Sequence, residues 1–439
     1  MLFIDSPFNF VKEEEKMKKV IWFFLGVFVF FSALALFSKE VQEGKTILSE
    51  LIQEALSQNP QIKASRNEWQ AALEVIPQIK TLPDPVLSYS YFGQSIETRL
   101  GPQRNKVSLS QKFPFFGKLS LKGEIAYRGA SILEEQYNAV KADIVLNVKK
   151  AFFSLFWFDR AIKISQEEKE VLQRLAKIAE IKYETGETNQ QDVLKAQLEI
   201  SKVLDKLLIL KQGRIAIKAE LSSLLNRPPA FSFGEAEEFE VSEFRVELDK
   251  LYEWAREKRP EMKKAQYLIE KSEEKLKLAK KNYWPDFKLM FDYIDIGGGT
   301  TLNVKDGRNA WMGSVGISIP IWRKKLHAAE AEAATQLKAS KDRFNDVKNN
   351  TFSRVNELFF EIKTTYEQVN LYKYSLLPQA EQSLKASEVG YLTGKVDFLN
   401  LLDSERMVLL IKTGYYKSIA DFGKSLAQLE RVVGQDLII

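Results

Sequence analysis

The chain has no cysteine and only one histidine, His327, among its 439 residues. The lack of cysteine excludes disulfide bonds, thiol catalysis, thiolate metal sites and lipid anchoring through an N-terminal cysteine. No Ser-His-Asp set or paired metal-ligand spacing accompanies His327, and the glycines at 297–299 lack the Lys-Ser/Thr of a phosphate-binding loop. We therefore expect that the protein is not an enzyme and has no catalytic, metal or cofactor-binding residues.

Neither a concentration of one charge sign nor a long apolar run occurs in the main part of the chain. The 64 Lys and Arg residues are interspersed with 59 Asp and Glu residues, which leaves a net charge of +5 without a basic stripe for nucleic acid. After residue 38 the longest apolar run is 151–158, well below the roughly 18 residues of a membrane-spanning helix. An exported protein of this kind is either soluble or enters a membrane as β-strands.

Residues 1–38 form the predicted signal peptide. Two lysines precede an apolar run at 20–37, and small residues suited to cleavage lie at its end. Three glutamates at 13–15 do not fit such a signal, so Met17 is an alternative start. A permanent membrane helix is the competing interpretation because the run is just long enough to span a bilayer.

The rest of the sequence is an internal repeat. Residues 51–60 align on 251–260 and residues 183–197 on 391–405, so the offset between the copies grows only from 200 to 208 residues. The predicted domains are repeat 1 at 47–228, a linker at 229–246 and repeat 2 at 247–436. Further elements predicted within them are a β-hairpin at about 86–113 and helices at 118–185 and 189–226 in repeat 1, and a β-hairpin at about 286–319 and helices at 323–389 and 397–433 in repeat 2.

The two hairpins have an alternation with a period of two. In the first, Leu87, Tyr89 and Tyr91 alternate with Ser88 and Ser90, which predicts one apolar and one small polar face. Aromatic residues are concentrated at the strand ends, as in membrane β-barrels. A strand of an ordinary sandwich, with the aromatic residues in its core, is the alternative.

The number of predicted strands has a consequence for assembly. Two hairpins supply four strands, whereas known membrane barrels begin at about eight, and open sheet edges in lipid leave backbone groups without partners. Helices of roughly 65 residues extend about 100 Å, too far for a compact globule. The fold class predicted is mainly α with a transmembrane β-barrel part, in a homo-oligomeric conduit to which several copies contribute.

The motifs YETGETNQQDVLKAQ at 183–197 and YLTGKVDFLNLLDSE at 391–405, together with SQKFPFFGK at 110–118, resemble the outer-membrane efflux protein family, the TolC-like channels. The resemblance covers about 47–436. It implies a homotrimer whose tandem repeats form a 12-stranded outer-membrane β-barrel on a 12-helix periplasmic α-barrel. It places the protein in the outer membrane, among outer-membrane lipid, and extending into the periplasm.

The function implied by this resemblance is that of an exit channel. The channel would passively conduct substrates that an inner-membrane pump and a periplasmic adaptor protein hand over. One alternative is the outer-membrane component of a type I protein secretion system. A second alternative, of a different class, is a soluble periplasmic coiled-coil adaptor, which would explain the helices but not four amphipathic strands.

The resemblance also assigns residues to the periplasmic tip, where the family's channel is constricted. The helix turns at Gly186 and Gly394 match this tip, and glycine is the usual residue for ending a helix in left-handed geometry. Asp192 matches an acidic residue that helps to hold the tip closed, although a helix N-cap is an equally good interpretation. Asp403 matches one of two aspartates that ring the pore, and Asn400 occupies the position of the other. A solvated helix face is the alternative for Asp403.

A gate between helices is the last feature that the resemblance implies. Tyr391 matches the tyrosine of this gate, whereas the position of its arginine partner is Val396 here. Lys395 or Lys182 could replace that arginine, so the sequence leaves the cationic partner of Tyr391 open.

Overall fold

The computed structural model describes residues 45–299 and 301–437, so the predicted signal peptide at 1–38 lies outside the described residues. The chain divides into two units. The smaller unit includes residues 45–46 and 232–235, where the Thr46 N–H donates to the Glu235 carbonyl oxygen (2.8 Å). The larger unit contains every helix and strand named below.

The larger unit follows one order of elements twice. The first pass comprises α1 (Leu48–Gln58), α2 (Pro60–Lys80), β1 (Val86–Thr98), β2 (Gly101–Phe113), α3 (Lys118–Glu184) and α4 (Gln190–Leu224). The second comprises α5 (Leu248–Lys258), α6 (Pro260–Lys281), β3 (Asp286–Ile296), β4 (Ala310–Ser318), α7 (Arg323–Leu371), a π-helical turn (Tyr372–Leu376), α8 (Leu377–Leu392) and α9 (Phe398–Val433). The described fold is therefore mainly helical, with one sheet. No helix in the described ranges combines the length and the apolar character needed to cross a lipid bilayer.

The break between α1 and α2 follows from the pair Asn59-Pro60. Proline at the first position of α2 has no N–H to contribute to α1, and the Asn59 side chain accepts hydrogen bonds from the backbone N–H groups of Gln61 (2.9 Å) and Ile62 (3.3 Å). The Asn59 amide also donates to the carbonyl oxygen of Leu224 (2.9 Å), at the end of α4. One residue thus ends α1, caps α2 and fixes both against the last turn of α4.

The segment predicted as a single helix over 323–389 is interrupted by the π-helical turn at Tyr372–Leu376. Pro378 follows this turn at the second position of α8. Proline has no N–H to donate to a helical hydrogen bond, so the helical hydrogen-bonding pattern changes in the turn before it. The turn lies against Gly414 of α9, where an added Cβ would come within 2.7 Å of the Tyr372 Oη. Position 414 must therefore remain small for the Tyr372 ring to pack.

The four strands form one antiparallel sheet in the order β1-β2-β3-β4. Leu87, Leu109, Phe291 and Gly313 are in register on one face, with Tyr89, Val107, Tyr293 and Trp311 in the next row. The opposite face includes Ser88, Ser108, Asp292 and Met312 in register. The apolar face is largely uncovered, since Leu87 is 71% and Trp311 72% exposed. The predicted alternation of the strands is confirmed by this register.

A hydrophobic core lies where α5, α7 and α9 meet. Its fully buried side chains include Leu251, Leu358, Ile362 and Phe422. A run of buried residues of α3 lies next to it: Phe152, Phe153, Leu155 and Phe156. These four residues give the long helix a wide buried face at this point.

Replacing Gly423 of α9 with alanine should destabilise the protein, because the new Cβ would come within 2.4 Å of the buried Phe153 ring. The overpacking cost of about 1–3 kcal/mol, less the roughly 1 kcal/mol that alanine gains over glycine in a helix, leaves an expected net loss of up to about 2 kcal/mol. Gly129→Ala in α3 is the control, since its Cβ would meet only the flexible tip of Lys271 (3.2 Å). Thermal unfolding that shows equal stability for both variants would contradict this packing.

Candidate functional site

The turns that join α3 to α4 and α8 to α9 have the same backbone geometry. Gly186 (φ 78°) and Gly394 (φ 71°) adopt left-handed conformations, in which other residues are strained. The N–H of Glu187 donates to the Lys182 carbonyl oxygen, and the N–H of Lys395 donates to the Gly390 carbonyl oxygen, both at 2.8 Å. Both predicted helix turns therefore end their long helices by the same hydrogen-bonding pattern.

The side chains of the two turns differ, however. Tyr391 is 5% exposed and packs against the Phe398 ring at a centroid distance of 5.3 Å, whereas Tyr183, its counterpart in repeat 1, is 48% exposed. Gly390, the counterpart of Lys182, has no side chain, and an added Cβ would lie 2.4 Å from Val396. The repeated backbone thus carries a tyrosine that is buried in only one copy.

Lys182 is the cation that contacts Tyr391. Its Nζ donates to the Tyr391 carbonyl oxygen (3.1 Å), lies 5.0 Å from the centre of the ring and forms an ion pair with Glu187 (3.6 Å). Lys395 is exposed and contacts Gly390 through its backbone. Of the two lysines that the sequence left open, the structure places Lys182, on the other helix pair, against the tyrosine.

Burial and charge both act on the Tyr391 hydroxyl. Burial, and then the negative charge of Asp192, raise the pKa of Tyr391 to about 12. Its Oη has no hydrogen-bond partner among the described residues. Tyr391 is therefore a neutral phenol at physiological pH, held by packing and by the Lys182 contact.

Asp192 is not the N-cap of α4, contrary to one of its two sequence-based interpretations. Asn189 occupies the cap position, and Asp192 is the third helical residue, where its carboxylate accepts a hydrogen bond from the Thr188 hydroxyl. In the second turn, Asp397 does cap α9, accepting from the Asn400 N–H (2.8 Å). The Asp192 carboxylate lies instead near the buried Tyr391, at the positive end of the helix dipole of α4.

Asn400 and Asp403 lie three residues apart in the first turns of α9, and both are exposed. The apolar side of the same helix segment is buried in a cluster that includes Phe398, Leu401 and Leu402. No contact with another described residue determines a role for Asn400 or Asp403 in a pore.

In the described ranges, no three acidic or histidine side chains converge as metal ligands.

An ion cluster between α4 and α9 was missed from the sequence. Arg406 binds both carboxylate oxygens of buried Glu199, one of them at 3.1 Å, and Lys202 donates to the same carboxylate at 2.8 Å. Burial alone would raise the pKa of Glu199, but these hydrogen bonds outweigh burial and lower the pKa. The sequence did contain a signal for this cluster, because Glu199 lies at helical spacing between the core-facing residues Ala196 and Val203. A glutamate in such a position requires a cationic partner.

Similarity to known proteins extends over this whole arrangement of repeats and turns. Residues 51–227 and 251–435 match the sequence model of the family described as outer membrane efflux protein. The chain belongs to that family.

Members of the outer membrane efflux protein family that resemble this chain include two sequence relatives. The cobalt-zinc-cadmium resistance protein CzcC of Cupriavidus metallidurans is 20% identical over 427 residues, covering 92% of this chain and 93% of CzcC. The outer membrane protein TolC of Salmonella enteritidis is 20% identical over 372 residues, covering 81% of this chain and 75% of TolC. The crystal structure of the outer membrane protein VceC of Vibrio cholerae shares the fold with a TM-score of 0.74 at 16% identity, over 88% of this chain and 96% of VceC.

Membership of the outer membrane efflux protein family settles the class of function. The protein is an outer-membrane efflux channel of the kind found in tripartite efflux systems, as the resemblance predicted. The alternative of a soluble coiled-coil adaptor is therefore wrong. Members of the family are channels, which supports the expectation that this chain is not an enzyme.

Two carboxylates of this channel protein are buried in the packing between its helices. Glu168 of α3 and Glu405 of α9 are each buried, and one oxygen of each has no hydrogen-bond partner among the described residues. Burial raises the pKa of Glu168 to about 7; the negative charges of Glu405 and Glu199 act in the same direction, and Lys206 opposes them. Burial and the charge of Glu388 also raise the pKa of Glu405. Unlike Glu199, which is paired with Arg406 and Lys202, these two carboxyl groups therefore favour the protonated form.

Glu168→Gln should stabilise the protein at alkaline pH and have little effect near pH 4.5. Because the folded-state pKa of about 7 exceeds the ordinary value of 4.5, the native state binds more protons between these values, and its stability falls as pH rises through this window. The full effect is on the order of 3 kcal/mol.

Unfolding of the detergent-solubilised protein across this pH range provides the measurement. Glu167→Gln is the matched control, since the adjacent Glu167 is exposed. A Glu168→Gln stability curve parallel to that of the unmodified protein would contradict the raised pKa of Glu168.

Proposed function

We propose that three copies of this chain form one outer-membrane channel that reaches into the periplasm. Each copy contributes four strands to a 12-stranded barrel, and the long helices of the three copies form a helical barrel below it. In this assembly, repeat 1 (47–228) and repeat 2 (247–436) contribute one hairpin each and are joined by the linker at 229–246. The channel conducts passively, and an inner-membrane pump and a periplasmic adaptor deliver its substrates.

One observation supports this proposal above all others, namely the sheet with one exposed apolar face and two free edges. Apolar side chains from all four strands share that face, and β1 and β4 have no outer partner within the described chain. In lipid, the backbone N–H and C=O groups of the sheet edges must be paired, and an apolar face is stable in contact with the lipid chains. Pairing β4 of one copy with β1 of the next satisfies both requirements, and three copies reach a size within the range of known barrels.

The cargo that we propose is a small solute rather than a protein. Among the relatives, CzcC carries cobalt-zinc-cadmium resistance in its name, which makes metal ions a second candidate cargo. Growth of a deletion strain in the presence of cobalt, zinc, cadmium and small organic toxicants distinguishes these candidates. Selective loss of cadmium, zinc or cobalt resistance would favour the second.

A pair of adjacent substitutions tests the membrane barrel. Val315 and Ser314 of β4 lie on opposite faces of the sheet, with Val315 among the exposed apolar residues. Val315→Lys should abolish trimers in the outer-membrane fraction, because a lysine facing lipid near the midplane costs about 2–4 kcal/mol in each copy. Ser314→Lys should leave trimers and bilayer conductance in place, because its side chain faces the lumen.

The measurements for this pair are native mass spectrometry of detergent-extracted protein and single-channel recording in planar bilayers. Equal tolerance of both lysines, or isolation of the unmodified chain as a soluble periplasmic monomer, would refute the proposed barrel.

The helix turns would form the periplasmic gate of this channel, with Gly186 and Gly394 at its tip. In the closed state, we propose that Lys182 holds the α3–α4 turn to the α8–α9 turn through the carbonyl group and ring of Tyr391. Asp403 and Asn400, both exposed, would line the constriction, where one ring of three carboxylates favours cations. The geometry that supports this assignment is the Lys182 contact at 3.1 Å.

Lys182→Gln should increase the open probability of reconstituted channels. The substitution removes a charge-assisted hydrogen bond and a cation–π contact worth about 1–2 kcal/mol, which corresponds to about a five- to thirty-fold shift of the equilibrium between closed and open states. Lys177→Gln on the same helix is the control, because Lys177 is 69% exposed and its ion pair among the described residues is with Glu180, three residues away. Single-channel records in which both variants gate like the unmodified protein would exclude Lys182 from the gate.

A further inference from the structure

The polar face of the sheet carries an excess of lysines at the end next to the helices. Six charged groups lie on or beside this face: Lys106, Lys112, Lys118, Asp286, Lys288 and Asp292. Four of them are positive and two are negative. The excess of positive charge has no part in the gate described above.

Ion pairs account for part of this set. Asp292 is fully buried, forms an ion pair with Lys106 (3.1 Å) and accepts a hydrogen bond from Ser108. Asp286 is held by Lys118 (2.8 Å), whose Nζ also donates to the Trp284 carbonyl oxygen (2.8 Å). These two pairs are local and neutral, so the excess charge comes from the two remaining lysines.

Lys112 and Lys288 are direct cross-strand partners in the β2–β3 register. Lys112 reaches only the second oxygen of Asp286 (3.3 Å), a carboxylate already paired with Lys118, and its side chain is 56% exposed. Lys288 is exposed and forms no ion pair among the described residues. Its other cross-strand neighbour is Gly316, which has no side chain to cover it.

Two like charges directly opposite each other destabilise an antiparallel pair of strands. Packing does not account for this arrangement, because the side chains of Lys112 and Lys288 are both exposed. The arrangement is suited to a surface where anions pass, since the repulsion between the two ammonium groups falls when an anion lies between them.

We propose that Lys112 and Lys288 form a lysine pair that makes the barrel section of the channel select for anionic solutes. The inference rests on the proposed trimer, in which three such pairs surround the lumen near the junction of strands and helices. Carboxylates, phosphates and sulfonates are the chemical classes that six ammonium groups around a pore would favour.

Reversal potentials in planar bilayers under a tenfold KCl gradient test the inference. Lys112→Gln combined with Lys288→Gln should lower the chloride-to-potassium permeability ratio by about two-fold or more, because six charges leave the lumen. Lys112→Arg combined with Lys288→Arg should retain the ratio of the unmodified channel, since it keeps every charge. An unchanged ratio in the glutamine variant, in channels that still conduct, would overturn the role of the lysine pair.

Blocking of the unmodified channel is a second measurement that needs no substitution. Tripolyphosphate added at low salt should reduce the single-channel current, and raising the KCl concentration should relieve the block, because salt screens the lysine charges. Current that is insensitive to tripolyphosphate would contradict the inference. A complete absence of conductance in the unmodified protein would instead contradict the proposed channel itself, so the two failures are distinguishable.

Discussion

Backbone hydrogen bonding at the sheet edges is the constraint on which the rest of this protein depends. The sheet ends at β1 and β4, and each outer edge presents N–H and C=O groups that lipid cannot satisfy. A sheet with enough strands to close on itself within one chain would have met this requirement alone. The described part of the chain has four strands, so in the assembly proposed above neighbouring copies would pair the two free edges and continue the apolar face.

Duplication of the chain explains both the symmetry of the turns and the contact that breaks it. Equivalent backbone hydrogen bonds end α3 and α8, so the two turns have one geometry. Lys182 and Gly390 occupy equivalent positions, yet the lysine reaches across to Tyr391 whereas the glycine makes room for Val396. The shared backbone gives two similar turns, but their side chains differ. In the contact between them, the α3–α4 turn supplies the lysine and the α8–α9 turn supplies the tyrosine. A contact of this kind can be released by moving one helix pair without unfolding either.

Sequence periodicity was sufficient for the elements but not for the contacts between them. Alternation in the hairpins and proline-free runs at helical spacing identify strands and helices, because both patterns depend on neighbours along the chain. The partner of Tyr391 depends on two turns that are about 200 residues apart, so Lys182 and Lys395 could not be separated. The Tyr372 ring packs against Gly414 of another helix, and the partner of Glu199 is Arg406, about 200 residues further along the chain, so neither contact follows from neighbours in the sequence. A buried charge can be located from spacing alone, whereas its counter-ion requires the fold.

In the proposed channel, charges of opposite sign would act on permeating ions at the two ends of the long helices. Asp403 is exposed beside the helix turns, whereas Lys112 and Lys288 are exposed beside the strands. The 67 residues of α3 separate these regions by about 100 Å, roughly ten Debye lengths at 0.1 M salt, so neither region alters the field in the other. In the proposed channel, the selectivity of the conducting state would therefore combine a tip that favours cations with a barrel section that favours anions, and removing either set of charges would shift the permeability ratio in a predictable direction.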